Sequence, residues 1–394
     1  MVPLAAAFLV SSLYLLACGV YLNLLVVAAR WYRPRPVQGR PATRFVLFIP
    51  AHNESSTIRQ TVEHLRGLDY PARLLRIIVI ADNCTDETAQ LAQAAGIAVW
   101  ERSDPEHWGK GAALRWAMDR LSGQVDAVAV LDADSVASPR WLTRADAYLG
   151  AGADAVQAFY GIANAEASWR ARLLSVALLL FHHIRPAGRE VLGWSAGLKG
   201  NGMVFSRRLL ARLPWSAYSV TEDLEYASQL AAAGVRVAYD GGSTVLGLAG
   251  LGRGARSQRL RWEGGRFGVL RRWTLPLLRR VLTAHSLIAL DAAMELLVLP
   301  LGLLLLLAFV LVLATAGAAI AGLTSPLWLA GALVGLLLLA THVLGGLWAG
   351  HAPARSYATL ALAVPYLAWK MLVYAWLAAG VQRNRWIRTD RMRD

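Results

Sequence analysis

The sequence predicts an α/β domain, built on a mostly parallel sheet flanked by helices, together with α-helical transmembrane segments. Three observations carry this expectation. From residue 45 onward, short runs rich in valine and isoleucine alternate with amphipathic stretches, the pattern of strands followed by crossover helices. Residues 4–29, 296–320 and 327–348 are apolar and long enough to cross a bilayer. The composition fits both parts, with 394 residues, 56% of them hydrophobic, and a net charge of +14. That positive excess is nearly all arginine and lies beside apolar runs, which points to anionic lipid or phosphorylated substrates. No basic stripe interleaves with base-stacking aromatics, which argues against a nucleic-acid partner. Cys18 and Cys84 make neither a disulfide framework nor a zinc site.

Residues 4–29 carry no charge and are followed by Arg30, Arg33, Arg35 and Arg40, so they read as an anchor with the next domain cytosolic. A cleaved signal is the alternative, because Leu15-Leu16-Ala17-Cys18 loosely resembles a lipidation site. No basic segment precedes the apolar run, and it continues well past Cys18, which favours the anchor. Residues 45–50 form a first strand. The loop Ala51-His52-Asn53-Glu54-Ser55 then leads into a helix with Ile58, Val62 and Leu65 on one face. A second strand, 76–81, ends at Asp82, and a helix opened by Thr85, Asp86 and Glu87 closes at Gly96. Residues 97–101 are a third strand. His107-Trp108-Gly109-Lys110-Gly111 enters a helix bearing Leu114, Met118 and Leu121; a lysine between glycines at a helix start suits a phosphate, although the P-loop pattern is incomplete.

Residues 125–131 are apolar without a helical period, as in a strand buried on both faces, and they deliver Asp132 and Asp134 to the sheet edge where ligands bind. Residues i and i+2 of an extended segment point the same way. Both carboxylates can therefore converge on one hard cation whose remaining positions are filled by diphosphate oxygens. The same stretch also reads as an ordinary strand-to-helix turn, with Ser138 as cap and Pro139 at the first helical position.

A helix over 139–149 and a strand over 155–160 follow. Residues 173–181 are too short to span a bilayer and read as a buried helix, with His182 and His183 at its end pointing apart. The glycine-rich stretch 193–202 opens a strand over 203–206. Thr221-Glu222-Asp223 starts a helix that Gly234 ends, a place where acids are also common for capping reasons alone. Within residues 256–265, Gln258, Arg261 and Trp262 lie at i, i+3 and i+4, so that an amide, a guanidinium and an indole share one helix face. Such a face can hold an anion and stack on a sugar ring. Gly264 and Gly265 are expected to end this helix, and 267–282 reads as a basic, leucine- and tryptophan-bearing segment lying on the membrane surface. Residues 357–379 contain Pro365 and Lys370, and the arginine-dense tail 383–393 favours a segment that lies in the interface or re-enters. The expected organisation is an anchor at 1–30, a cytosolic domain at 41–265, an interfacial segment at 266–285, membrane or interfacial helices at 286–382 and a basic tail at 383–394.

The ordered set IPAHNES, ADNCTDET, WGKG, LDAD, KGNGMVFSRR, TED and QRLRW resembles the membrane-bound family 2 glycosyltransferases, which include cellulose, hyaluronan, chitin and poly-N-acetylglucosamine synthases. The resemblance covers residues 40 to 285 approximately and implies a GT-A-like fold, a UDP-sugar donor and Mg2+ or Mn2+. It implies that Asp82 binds the uracil base, that Asp132 and Asp134 hold the nucleotide and its metal, and that Lys110 and Arg261 face the diphosphate. Asp223 becomes the general base. Gln258 and Trp262, with Glu222, Gly200 and Asn201, fall on the acceptor side. The expected reaction is an inverting transfer that forms β-links in a polysaccharide or oligosaccharide; the alternative is transfer of a single sugar to a membrane lipid. The partners are then the UDP-sugar, a saccharide or lipid acceptor and membrane lipids, plus an accessory export subunit or self-association if a polymer is exported. The implied location is the plasma membrane, multi-pass, with the catalytic domain cytosolic.

Two departures from the family pattern stand out. Ala81-Asp82-Asn83 replaces the more usual pair of aspartates, and the membrane part is smaller than in the large polymer synthases. A haloacid-dehalogenase-like phosphatase is a remote alternative, because Asp132-Ala133-Asp134-Ser135-Val136 also fits its nucleophile motif. A non-enzymatic membrane scaffold is disfavoured, since no expected catalytic carboxylate is missing.

Overall fold

The computed structural model describes residues 2–248, 252–363 and 365, with residues 2, 3 and 252–263 described by backbone alone. In chain order the first elements are α1 (Val2–Ala29), β1 (Phe45–Ala51), α2 (Ile58–Leu65), β2 (Leu75–Asp82), α3 (Thr88–Ala94), β3 (Ala98–Arg102), α4 (Lys110–Asp119) and β4 (Ala127–Val130). Next come β5 (Val136–Ala137), α5 (Trp141–Gly150), β6 (Ala155–Ile162) and α6 (Trp169–Leu178), which runs through a π-helical turn, Leu179–Ile184, into α7 (Arg185–Val191). After these come β7 (Met203–Ser206), α8 (Arg207–Arg212), α9 (Glu222–Ala232), β8 (Val237–Gly247) and α10 (Gly252–Ala284). The last described helices are α11 (Leu287–Leu297), α12 (Leu301–Ile320), α13 (Leu327–Ala349) and α14 (Ala354–Thr359).

These elements form two compact units. One comprises residues 33–165 and 193–296; the other comprises residues 1–32, 166–192 and those described from 297 on.

The first unit is built on an eight-stranded sheet in the order β3-β2-β1-β4-β7-β6-β8-β5. β3, β2, β1 and β4 run parallel, as alternation of strands and crossover helices requires. β7 is inserted antiparallel between β4 and β6, and β5 runs antiparallel to β8, so the sheet is mixed. Direction is the useful consequence here. Because Met203 at the start of β7 pairs with Val130 at the end of β4, the loop that enters β7 arrives at the same edge as Asp132. Hydrophobic periodicity cannot reveal strand direction, and this convergence was hidden in the sequence.

All four residues of β4 are buried, and the core continues through Phe45, Leu47, Ile49, Val79, Trp141 and Val204. β8 carries a weak strand signal because Asp240-Gly241-Gly242 interrupts it. There the Asp240 carboxylate accepts hydrogen bonds from Arg144, Gly242 N (3.1 Å) and Ser243 Oγ (2.5 Å), and a side chain at Gly242 would collide with the Arg144 guanidinium.

α10 corrects one expectation, because it runs unbroken through Gly264 and Gly265. Glycine inside a helix costs only about 1 kcal/mol relative to alanine. At Gly265 an added Cβ would lie 2.9 Å from Thr221 Cγ2, so the residue serves close approach of α10 to the start of α9 rather than termination.

A similar contact sits beneath α4. A Cβ at Gly111 would fall inside van der Waals distance of the Ala217 carbonyl oxygen and 3.3 Å from Glu222 Cβ. Gly111→Ala should therefore cost about 2 kcal/mol or more, since backbone cannot yield cheaply. Gly150→Ala, with open space around it, should be near neutral. Thermal melts of the two variants in one detergent check this; equal melting temperatures would contradict the packing described.

In the second unit, α1, α12 and α13 are three helices long and apolar enough to cross a membrane, with candidate spans Leu4–Ala29, Leu301–Ile320 and Leu327–Ala349. Small residues allow close helix approach. A Cβ at Gly19 would lie 2.6 Å from Leu338 Cβ and one at Gly335 3.1 Å from Leu15 Cβ, while Asn23 Nδ2 donates to Gly19 O and Leu338 O at 2.8 Å each. Residues 166–192, expected within the continuous domain 41–265, group instead with these helices: Val176, Leu180 and Ile184 pack with Val26, Val343 and Leu347. The reading of 173–181 as a buried helix too short to span agrees with this packing. His183 sits edge-on to Tyr32, with ring centroids 6.5 Å apart, while His182 packs on Phe181. Most of 357–379 and all of 383–393 lie outside the described residues.

Candidate active site

The parallel strands β1, β2 and β4 end on one edge, and that edge carries the acids. Asp82 is the last residue of β2, and Leu131 N extends the β1 to β4 ladder by donating to Phe48 O (3.0 Å) just before Asp132. The turn Asp132-Ala133-Asp134-Ser135 is pinned at each position. Ser135 N donates to Asp132 O (3.2 Å), Thr61 Oγ1 to Ala133 O (2.8 Å) and Ser135 Oγ to Asp134 Oδ1 (3.3 Å). From the loop before β7, Asn201 Oδ1 accepts from Asp132 N (3.1 Å) and its Nδ2 donates to Ser135 Oγ (2.8 Å).

Lys110, at the first turn of α4, reaches across this edge. Its ammonium lies 2.5 Å from Asp132 Oδ1, donates to the Gly200 carbonyl and stands 3.9 Å from Glu222 Oε1. Gly200 has φ +79°, and a Cβ there would lie 3.3 Å from Asp223 Oδ2. Glycine is required both by the left-handed backbone and by the approach of that carboxylate. Lys110, Asp132, Gly200, Glu222 and Asp223 are thus gathered from four separate stretches of chain.

Burial sets the electrostatics of this cluster. It pushes the Glu222 carboxyl up to about 8 against the pull of Lys110, with Asp223 and Asp132 adding to the rise. Burial also raises Asp223, opposed by the Leu224 N–H, Lys110 and Lys199. For Lys110, burial would lower the ammonium, but the carboxylates of Asp132 and Glu222 outweigh it and hold it above the usual lysine range.

Asp82 lies in a second polar pocket on the same edge. Its carboxylate, 8% exposed, meets Arg102 Nη1 at 2.5 Å, and Arg102 also donates to Asp104 Oδ2 and His107 O, both at 2.8 Å. Burial pushes the Asp82 carboxyl up, and the Arg102 guanidinium opposes it. Asn83, with φ +50°, bridges β2 to the loop after β3: its Nδ2 donates to Asp82 Oδ1 (3.2 Å) and Asp104 O (3.1 Å), and its Oδ1 accepts from Asp104 N (2.7 Å). Asparagine, like aspartate, tolerates that left-handed backbone, but only its amide can donate to the Asp82 carboxylate and the Asp104 carbonyl.

The sequence marks Asn83 only as a departure from the family pattern, and it gives no sign of Arg102. The arginine lies one residue beyond the strand expected at 97–101, and its partner is fixed only by the β2 to β3 register, which pairs Asp82 with Arg102. Asn201 needs correction. It was expected to bind acceptor, but it is fully buried and its side chain is committed to the Asp132 turn, so it positions that turn from below. Gln258, Arg261 and Trp262 lie on the helical backbone of α10, and their side chains fall outside the described residues.

Asp132 and Asp134 offer oxygen donors of the kind a hard divalent cation takes. Among the described residues no group of three or more His, Cys, Asp or Glu side chains is placed to hold a metal. Residues 132–135 form a turn rather than the extended segment expected of them, and Lys110 already pairs with Asp132, so a cation held here would need substrate oxygens to complete its shell and would compete with Lys110.

The profile of glycosyltransferase-like family 2 matches residues 41–265. The chain belongs to this family. Its matched region contains the sheet and the acid–lysine cluster, and membership displaces the phosphatase reading of the Asp132 motif. Among curated relatives, a β-monoglucosyldiacylglycerol synthase from Nostoc sp. is 28% identical over 231 residues, which cover 56% of this chain. A cellulose synthase 1 catalytic subunit from Komagataeibacter xylinus is 30% identical over 97 residues, 24% of this chain and 13% of that subunit. The chain spans about half the length of the Nostoc relative, at 48%. A solved structure, a mannosyltransferase from Pyrobaculum calidifontis in complex with GDP-mannose and Mn2+, superposes with a TM-score of 0.52 at 18% identity, covering 87% of this chain and 97% of that one. That likeness identifies the fold as GT-A-like.

Proposed function

We propose that this protein transfers a single sugar from a UDP-sugar to a hydroxyl of a membrane lipid, with inversion at the anomeric carbon and with the help of Mg2+ or Mn2+. The observation that carries the reading is the convergence of Lys110 and Asp132 with Glu222 and Asp223 on one sheet edge. Asp82 accepts a hydrogen bond from the base of the nucleotide. Asp132 and Asp134 would hold the cation, which would supply positive charge to offset the negative charge developing on the departing diphosphate. Lys110 turns from Asp132 to the diphosphate and contributes a second positive charge; Arg261 is a further candidate on that side. Burial raises the carboxyls of both Glu222 and Asp223, and the nearby charges of Lys110 and Lys199 favour the ionised form of Asp223. Asp223 then removes the proton from the attacking hydroxyl as the bond to the sugar forms. A single displacement needs no protein nucleophile. Gln258, Trp262 and Gly200 fall on the acceptor side of this arrangement.

The lipid acceptor is supported by the likeness to monoglucosyldiacylglycerol synthase and by the apolar helices. It is also supported by the exposed face of α10. Phe267, Leu275, Leu278 and Leu282 are all exposed and fall within about 80° of one another at 100° per residue, with exposed Arg271 among them and Arg279 at their flank. Such a face suits the headgroup region of an anionic leaflet. Arginines follow α1, and the donor is cytosolic, so the enzyme is multi-pass in the plasma membrane with its α/β unit in the cytosol. The segment of likeness to a cellulose synthase subunit favours a second reading, a β-linked saccharide polymer, which would call for an accessory subunit or self-association for export.

Sizing the product separates the two. Purified protein in lipid nanodiscs, given labelled UDP-sugar and diacylglycerol, should yield a lipid carrying one sugar at every donor excess. A ladder of longer chains would transfer the assignment to polymer synthesis, and no UDP release with any UDP-sugar would defeat both readings.

A further inference from the structure

The reaction as described leaves one pair of buried charges without a role. Lys199 and Glu295, with side chains 4% and 8% exposed, face each other at 3.7 Å inside the α/β unit. Burying two ions costs several kcal/mol each unless their geometry is put to use, so such a pair asks for an explanation in terms of position.

Lys199 belongs to the loop that enters β7. Gly197, Gly200 and Gly202 there all have left-handed φ, so the loop has no regular structure of its own and depends on its contacts. Lys199 N donates to buried Gln157 Oε1 (2.8 Å), and Gln157 Nε2 donates to Asn201 O (2.7 Å). The residue after Lys199 is Gly200, whose carbonyl takes the Lys110 ammonium and whose Cα faces Asp223. Glu295 comes from α11. That helix packs through Ala289, Ala293 and Leu296 on Ala231 of α9 and on Val269 and Leu277 of α10. At its C-terminal end Arg266 donates to the Glu295 and Leu296 carbonyls.

The charged groups around Asp223 therefore come from every element packed there. Lys110 from α4 and Lys199 from the β7 loop act on Asp223 directly, beside Glu222 of α9 itself; behind them Asp132 of the β4 turn pairs with Lys110 and Glu295 of α11 with Lys199, and Asp291 is buried one turn earlier on α11. Lys199 pairs with the acid of α11, and its charge also acts on the acid of α9.

We propose that Lys199 is a positioning residue for the transfer reaction: anchored by Glu295, it holds the Gly200 loop against Asp223 and supplies the positive charge that favours the ionised form of that carboxylate. Helix α11, only a few residues before the apolar helix α12, thereby becomes part of the catalytic support. The inference rests on Asp223 being the base. The field of Lys199 draws the Asp223 carboxyl downward, in the direction the role requires.

The test compares Lys199→Met, Lys199→Arg and the double variant Lys199→Met/Glu295→Gln in full-length protein, alongside Asp223→Asn. The double variant removes both buried charges together and keeps the comparison open if Lys199→Met alone folds poorly. Lys199→Met and the double variant should each lower kcat by about tenfold or more, leave UDP affinity within about twofold and move the acid limb of the kcat–pH profile upward by about one unit. Lys199→Arg should restore most of kcat and the wild-type limb. A folded double variant with wild-type kcat overturns the proposal, and so does one whose kcat falls with an unmoved acid limb, because a structural loop contact alone would do that. If those variants are silent while Asp223→Asn is inactive, the base assignment stands and only the positioning role fails. An active Asp223→Asn enzyme removes both.

Discussion

Asp223→Asn is expected to reduce transfer by about a thousandfold while UDP binds within about twofold of wild type, because the change removes a proton acceptor and leaves the nucleotide side untouched. The asparagine is nearly isosteric, so the close approach to Gly200 survives, and the first turn of α9 keeps a residue able to hydrogen bond. Loss of stability is therefore a poor explanation for loss of rate. Measuring turnover and UDP affinity on the same preparation distinguishes chemistry from binding, and an active variant would refute the assignment of the base. The outcome also bears on Glu222. If burial holds that carboxyl protonated up to about pH 8, it cannot replace Asp223 as base at neutral pH.

Asp134→Ala should act on the other half of the reaction. Removing one of two candidate metal ligands is expected to weaken UDP binding by about a hundredfold in the presence of Mn2+, with little change when the metal is chelated. The turn itself should persist, since Asn201 still holds Asp132 N and Ser135 Oγ, and Thr61 still holds the Ala133 carbonyl. Titration calorimetry with and without Mn2+ reads this directly. Unchanged metal-dependent affinity would mean that the cation, if used, is bound elsewhere.

The elements that deliver the site were legible where local physics dominates. β4 announced itself by an apolar run without helical period, α4 by glycine on both sides of Lys110, and α9 by acids at a helix start. Asp82 and Asp132 were placed on one edge because parallel strands with crossover helices leave no other arrangement.

What stayed hidden depends on partners far apart in the chain. The buried pair Lys199–Glu295 joins a loop to a helix expected among the membrane or interfacial helices of 286–382, and Arg102 finds Asp82 only through strand register. The resemblance put Asn201 on the acceptor side, yet the antiparallel insertion of β7 brings it to the Asp132 turn, where its side chain bonds Asp132 N and Ser135 Oγ. Gly264 and Gly265 looked like a stop because glycine is a common helix terminator; close packing on Thr221 gives Gly265 another use. Within residues 166–192 the apolar run 173–181 is too short to mark a membrane span, and only packing against α1 and α13 reveals its allegiance.

The most direct measurement of the central claim is the anomeric configuration of the product. Single displacement on an α-linked UDP-sugar, with Asp223 activating the acceptor and no protein nucleophile, must give a β-linked glycoside. Proton NMR of the purified product from a UDP-sugar turned over by the full-length protein should show the β-anomer alone. An α-linked product would mean retention, would demand a second displacement or a front-side path, and would contradict the mechanism proposed for this site.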